Sequence, residues 1–277
     1  MESKEKVLTP IEEKVESNNA NENVKPSVIK SATQSVVNNN YQTFGSEAIA
    51  PQPIIQPIES EQPRIVKERS GFRYACYRIT KRVFDFVASF LLLLVLSPII
   101  LLALAIKWIE DGGNPVYVQK RVGKNGKEFN FYKIRSMCVG AEFMKDALIN
   151  TGKNESDGPV FKIKEDPRIT KVGAFYRRWS IDELLQLVNI INGSMSIVGP
   201  RPPLPREVKE YTEEQKQRLI VKGGLLCLWQ IQKNRNQIKF EEWVKLDLDY
   251  IEKSNFWLDI KIIFKGAYMV LFDRTGE

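Results

Sequence analysis

Histidine is absent from all 277 residues, and the three cysteines, Cys76, Cys138 and Cys227, stand far apart. Without an imidazole base, Ser-His-Asp and Cys-His hydrolases are excluded. Clustered Cys/His zinc sites are excluded with them. Three scattered thiols fit a reducing, cytosol-facing compartment better than a disulfide framework. The chain also lacks the Gly-x-x-x-x-Gly-Lys-Ser/Thr phosphate loop and the Gly-x-Gly-x-x-Gly fingerprint. The chemistry that remains rests on carboxylates, hydroxyls, Lys and Arg, with or without a hard metal ion.

Aromatics are scarce at the start of the chain. Residues 1–60 contain only Tyr41 and Phe44, and they carry eight Glu against five Lys, a net −3. Since the whole chain is +7, the remainder carries +10. Polar runs such as Asn38-Asn39-Asn40 lead into a segment spaced by Pro51, Pro53, Pro57 and Pro63. Such a stretch buries too little apolar surface to offset the entropy of ordering it. Residues 1–70 therefore read as a disordered tail ending in a stiff Pro-rich linker. No apolar run follows the first residues, so it is not read as a secretory signal.

Charge is then missing altogether for 21 residues, Phe86 to Ile106. At ~1.5 Å per residue a helix of this length reaches roughly 30 Å, the thickness of a bilayer's hydrocarbon. The run is expected to enter a membrane. Arg73, Arg78, Lys81 and Arg82 precede it, and Lys107, Lys120 and Arg121 follow it. Positive charge on both flanks draws both ends to the cytoplasmic face. Ser97-Pro98 sits in the middle: the proline removes a backbone donor, and the serine hydroxyl can satisfy the freed carbonyl. These features favour a re-entrant helix-break-helix slightly over a plain single span.

The basic remainder reads as an α-rich α/β domain. Val116–Arg135 has the look of a hairpin around Asn125-Gly126, with Phe129, Phe131, Lys133 and Arg135 on one face. Those cations suit a phosphate site or a basic face beside anionic lipid equally well. Ser180-Ile181-Asp182-Glu183 before an apolar run reads as a capping box, with Ser180 at the N-cap and Glu183 three positions on. That alone explains both residues. Yet Arg168, Lys171, Arg177 and Arg178 gather upstream, and a cation-ringed helix start would keep Asp182 ionised, the form that attacks phosphorus. Prolines on both sides preorganise Arg201 in Gly199-Pro200-Arg201-Pro202-Pro203 for two-point phosphate binding. Two further helices, roughly 239–253 and 256–272, close the chain. The second is placed either on the domain or in the membrane interface.

A family pattern runs through these motifs. Lys81-Arg82-Val83-Phe84-Asp85, the apolar run with Ser97-Pro98, and Gln119-Lys120-Arg121-Val122-Gly123 resemble the bacterial monotopic phosphoglycosyl transferases. So do Phe131 to Met137, Asp166 to Thr170, Ser180 to Leu184, Met195 to Pro202 and Leu228-Trp229-Gln230. The resemblance covers about 80–277. It departs from the family at Leu185, usually proline, at Ser194, usually acidic, and across 222–227 and 232–235.

The resemblance implies transfer of a sugar-1-phosphate from a UDP-sugar to undecaprenyl phosphate, releasing UMP. This would be the first step of exopolysaccharide, capsule or O-antigen synthesis, at the cytoplasmic face of the bacterial inner membrane. It implies Mg2+ and a covalent phosphosugar on Asp182, with Glu183 assisting through the metal or a proton. Lys133, Arg135, Arg168, Arg178 and Arg201 are then the expected phosphate-binding groups, and Ser97 and Pro98 the membrane break. Leu228-Trp229-Gln230 and Pro202 to Val208 look like the hexose branch. Membrane lipid is a partner, nucleic acid is not, and homo-oligomers are left open. A catalytically inactive membrane scaffold is the rival reading. The expected organisation is a 1–70 tail, a 71–110 membrane hairpin and a 111–277 catalytic domain.

Overall fold

A computed structural model describes residues 64–66, 69–150, 158–161, 163, 165–233, 235 and 237–272. Nearly all of the expected tail lies outside them. Its last described residues pack on the domain: Val66 is buried, Arg64 pairs with Asp249 and Glu252, and Arg69 donates to the Ser254 carbonyl.

The uncharged run forms the middle of one helix, α1, Phe72–Asp111, ended by Gly112 in the left-handed conformation. Fewer than one in five residues of its most apolar stretch is buried. Phe86, Phe90, Leu91, Leu94, Val95, Leu101 and Leu102 all face outward. A soluble core helix would hide that surface, so lipid is the medium that suits it. Pro98 lies inside the helix, and Ser97 Oγ donates to the Leu94 carbonyl at 2.8 Å. That carbonyl is the one Pro98, lacking an N–H, cannot reach in the i→i−4 pattern. The hydroxyl satisfies the acceptor, as the sequence leads one to expect.

The opposite stripe of α1 is polar and buried. Asp85 accepts from Ser196 Oγ at 2.8 Å and from the Ile197 N–H at 3.1 Å. Lys81 pairs with Asp259 at 2.8 Å, and Arg82 donates to the carbonyls of Ile190 and Ile191. At the far end Lys107, fully buried, meets Glu110, Asp111 and Thr170, while Tyr176 donates to the Ala103 carbonyl.

β1 (Val116–Val122) and β2 (Glu128–Ile134) form the expected antiparallel hairpin, Val116 opposite Ile134. Its turn is longer than two residues: it runs from Gly123 to Lys127, with Asn125 and Gly126 both at positive φ. After α2 (Phe143–Asn150) and α3 (Lys171–Arg178) come a 3-10 turn at Ile181–Glu183 and α4 (Gln186–Ile191). β3 (Ser196–Val198) pairs in parallel with β4 (Gly224–Leu226), and α5 (Pro205–Lys209) and α6 (Glu213–Lys216) lie between them. α7 (Phe240–Lys253) and α8 (Phe256–Leu271) match the two expected C-terminal helices. Helices thus dominate the described residues, with two two-stranded sheets.

The core gathers around Leu187, Ile190, Met195, Val198, Leu248, Ile251 and Ile262, with Trp229 stacked on Trp243 at 4.4 Å. Each such side chain contributes about 1.5–3 kcal/mol by leaving water. α8 packs on the domain along one side. Ile262, Gly266 and Met269 face this core, while Trp257, Phe264, Tyr268 and Leu271 are exposed on the other side.

Candidate active site

Asp182 and Glu183 occupy the 3-10 turn between α3 and α4, and the capping box expected there does not form. Ser180 sits at φ 54° in the left-handed region and makes no side-chain cap bond. α3 runs almost directly into the turn, so no extended residue precedes it to act as N-cap. Glu183 points elsewhere: Lys133 Nζ lies 2.9 Å from its Oε1 and 3.5 Å from Asp182 Oδ2. A single short turn also has little macrodipole. The charge facing the dyad therefore comes from side chains.

Those side chains line a cavity of about 500 Å3. Eight Lys and Arg residues border it, against Glu142, Asp182 and Glu207. Lys133 and Arg135 arrive from the predicted face of β2. Arg135 also pairs with Asp111 at 2.5 Å, which ties the cavity wall to the end of α1. Arg168 lines the cavity with its guanidinium held by Asp166 at 2.5 Å and by the Ala141 carbonyl. Arg201 is exposed at the rim and has no ion pair among the described residues.

Arg178 is exposed and is not brought to the cavity with the other expected cations; Arg177, its neighbour, lines it. On a helix adjacent residues point about 100° apart, so only one of the two can face inward. Gly173 decides which. A Cβ there would sit 1.8 Å from the Ser136 carbonyl oxygen, so only glycine lets α3 approach the strand this closely. The contact delivers Arg177 Nε to Ser136 Oγ at 3.0 Å.

Several other members were not among the expected site residues. Arg121 is buried, lies over the Phe131 ring and donates to the Pro202 carbonyl at 2.8 Å. Val122 N–H adds a bond to the Pro203 carbonyl. Together they strap the Arg201 loop to β1. Burial, with Arg201 adding to it, lowers Arg121 to about 10. Lys145, from α2, lies over Phe161, and burial together with Arg206 and Arg168 pushes it down to about 8. Asn189 accepts from the Tyr132 N–H and donates to the Asn130 carbonyl. That clamp fixes β2, and so Lys133, against the helix that follows the dyad.

The two carboxylates differ electrically. Burial raises Asp182, helped by the charge of Glu183, while Lys133 and Arg177 oppose the rise. Burial would raise Glu183 too, but Lys133 and Arg201 outweigh it and hold it below the ordinary range. Two adjacent carboxylates that already share one cation fit Mg2+, which takes one or two carboxylates together with substrate phosphates. Among the described residues no cluster of three or more acidic, Cys or His ligands occurs, so the donor set suits a metal shared with a phosphate ligand.

The "Bacterial sugar transferase" family model matches residues 76–273. A galactosyl transferase, CpsE, of Streptococcus agalactiae serotype III (strain NEM316) is 44% identical over 207 residues, 74% of this chain and 45% of that protein. An undecaprenyl-phosphate galactose phosphotransferase of Salmonella typhimurium is 38% identical over 216 residues, 77% of this chain and 45% of its own. The exopolysaccharide production protein ExoY of Rhizobium meliloti is 36% identical over 217 residues, 78% of this chain and 96% of its own. The chain thus spans just under half the length of the first two relatives and nearly all of the third. With the family pattern covering most of its length and every element around the cavity, the chain belongs to the bacterial sugar transferase family.

Proposed function

We propose that the protein transfers a hexose 1-phosphate from a UDP-hexose to undecaprenyl phosphate at the cytoplasmic face of a bacterial membrane, beginning the synthesis of an exopolysaccharide, capsule or O-antigen. The observation that carries this reading is the placement of Asp182, linked through Lys133 to Glu183, in a cation-lined cavity whose wall is bonded to a lipid-suited helix.

Asp182 Oδ attacks the phosphorus that bears the sugar. The bridging P–O bond breaks and its electron pair leaves with UMP. A phosphate oxygen of undecaprenyl phosphate then attacks the same phosphorus, the Asp182 carboxylate departs, and a lipid diphosphosugar is released. Two displacements let one site take a soluble donor and then a lipid acceptor. An anion attacking a diphosphate meets strong repulsion, and preorganised cations offset it. Arg177 and Lys133 favour the ionised nucleophile, and Arg201, strapped down by Arg121, offers a two-point grip on phosphate. Asp182 and Glu183 would hold Mg2+, which would supply further charge neutralisation when bound. The relatives named for galactose transfer support a hexose donor.

The membrane segment is proposed to enter and leave by one leaflet, with Ser97-Pro98 as its break. Both ends of the apolar run, at Asp85 and at Lys107, are bonded to one globular body. That shared anchorage supports entry and exit by one leaflet, although α1 runs unbroken through Pro98 in this structure.

Folded protein supplied with Mg2+, a UDP-hexose panel and undecaprenyl phosphate is expected to release UMP, and Asp182→Asn to abolish release. Labelled donor is expected to leave an adduct on residue 182. Absence of UMP with every UDP-sugar favours the scaffold reading, and an active Asn variant removes the covalent step.

A further inference from the structure

A second basic cavity, of about 470 Å3, lies at the amino end of α1 and shares no lining residue with the first. Five cations border it, Arg78, Lys81, Arg82, Lys124 and Lys222, against one carboxylate, Asp85. Three separate parts of the chain supply them: α1, the β1–β2 turn and the loop before β4. Flanking charge that merely orients a membrane segment needs only the residues beside it in sequence. Convergence of Lys124 and Lys222 on the same hollow needs another reason.

The inner wall is tight. Gly193, at φ 83°, passes so close that a Cβ there would lie 3.1 Å from Arg82 Nη2 and 3.5 Å from Lys222 Nζ. Lys81 is taken by Asp259, and Arg82 by two carbonyls. Lys222 makes no ion pair among the described residues; burial lowers its proton affinity, Arg82, Arg78 and Lys124 lower it further, and Asp85 opposes them in part. Arg78 and Lys124 have interactions of their own, so it is the summed charge of the five cations that gives the half-enclosed space a positive potential favouring an anion. Depth identifies its source. Arg82 lies one helical turn before Phe86, where the uncharged run begins, so the cavity opens at headgroup level. Tyr74, Ile79 and Val83 give it partly apolar walls.

We infer that this cavity is a binding site for the phosphate of an anionic phospholipid headgroup, separate from the reaction site and seating the domain on the membrane. It rests on α1 lying in the bilayer and not on the reaction proposed above.

The test is calorimetric titration of the full chain, in neutral detergent, with dihexanoyl phosphatidylglycerol, dihexanoyl phosphatidylcholine and inorganic phosphate. Because either anion could also enter the catalytic cavity, the signal is the difference between the native protein and the Lys124→Gln/Lys222→Gln variant. Phosphatidylglycerol is expected to bind the native protein about twentyfold more tightly than the variant, at roughly fivefold per cation. Lys124→Arg/Lys222→Arg is expected to restore binding, and an unfolding midpoint of the Gln variant equal to the native one in neutral detergent shows that it is folded. Equal affinity in the native and Gln proteins overturns the site. Equal binding of phosphatidylcholine overturns its charge selectivity. A variant-sensitive affinity for inorganic phosphate matching that for phosphatidylglycerol overturns the lipid assignment. Asp182→Asn leaves the titration unchanged, so the two proposals fail separately.

Discussion

Lys133 decides how Asp182 and Glu183 divide their charge. It holds Glu183 well ionised and works against the burial that raises Asp182. Activity by the proposed route needs Asp182 as carboxylate, so the rate falls as pH drops through its raised pKa. Lys133→Gln removes a group that lowers that pKa, and the acid limb of the pH–rate profile is expected to move to higher pH, beyond any drop in the plateau. A profile that only scales down would assign Lys133 to substrate binding alone. Lys145 acts at the other limb. Pushed down to about 8, it loses its charge as pH rises through that value. KM for the UDP-sugar is expected to climb above that pH in the native enzyme and to change less with pH in Lys145→Met.

At the scale of elements, α1 is a helix with two solvents. One side is apolar and exposed; the other carries buried ions that pin it to β3, α3, α4 and α8. Four of the five residues of the Lys81-Arg82-Val83-Phe84-Asp85 motif are thereby explained. Lys81 reaches Asp259 on α8, Arg82 takes two carbonyls at the end of α4, Phe84 meets Phe256 edge-on, and Asp85 holds β3. Asp85→Ala leaves the Ser196 hydroxyl and Ile197 N–H without their partner in a buried place. The expected cost is about 1–3 kcal/mol, read as a lower unfolding midpoint in detergent. The hairpin β1–β2 was legible because alternation and Asn-Gly are local signals. The capping box misled because its motif is local too, and a long-range cation claimed Glu183.

For the whole molecule, the prediction concerns sidedness. Single cysteines at Phe72 and at Gly112, in a chain otherwise free of cysteine, are both expected to react with a membrane-impermeant maleimide from the cytoplasmic side of oriented vesicles. Labelling of the two positions from opposite sides would make α1 an ordinary span and break the one-leaflet reading.

An uncharged run of bilayer length, the hairpin period and the two C-terminal helices were all written in the order of residues, because each depends on neighbours a few positions away. The partnership of Lys133 with Asp182 and Glu183, 49 and 50 residues distant, was not. Nor was the choice of Arg177 over Arg178, or the convergence of Arg121 and Lys145 on one cavity. Those were decided when α3 settled on Ser136 through Gly173 and Asn189 clamped β2. Electrostatic partners are chosen by distance in space, and packing alone sets that distance.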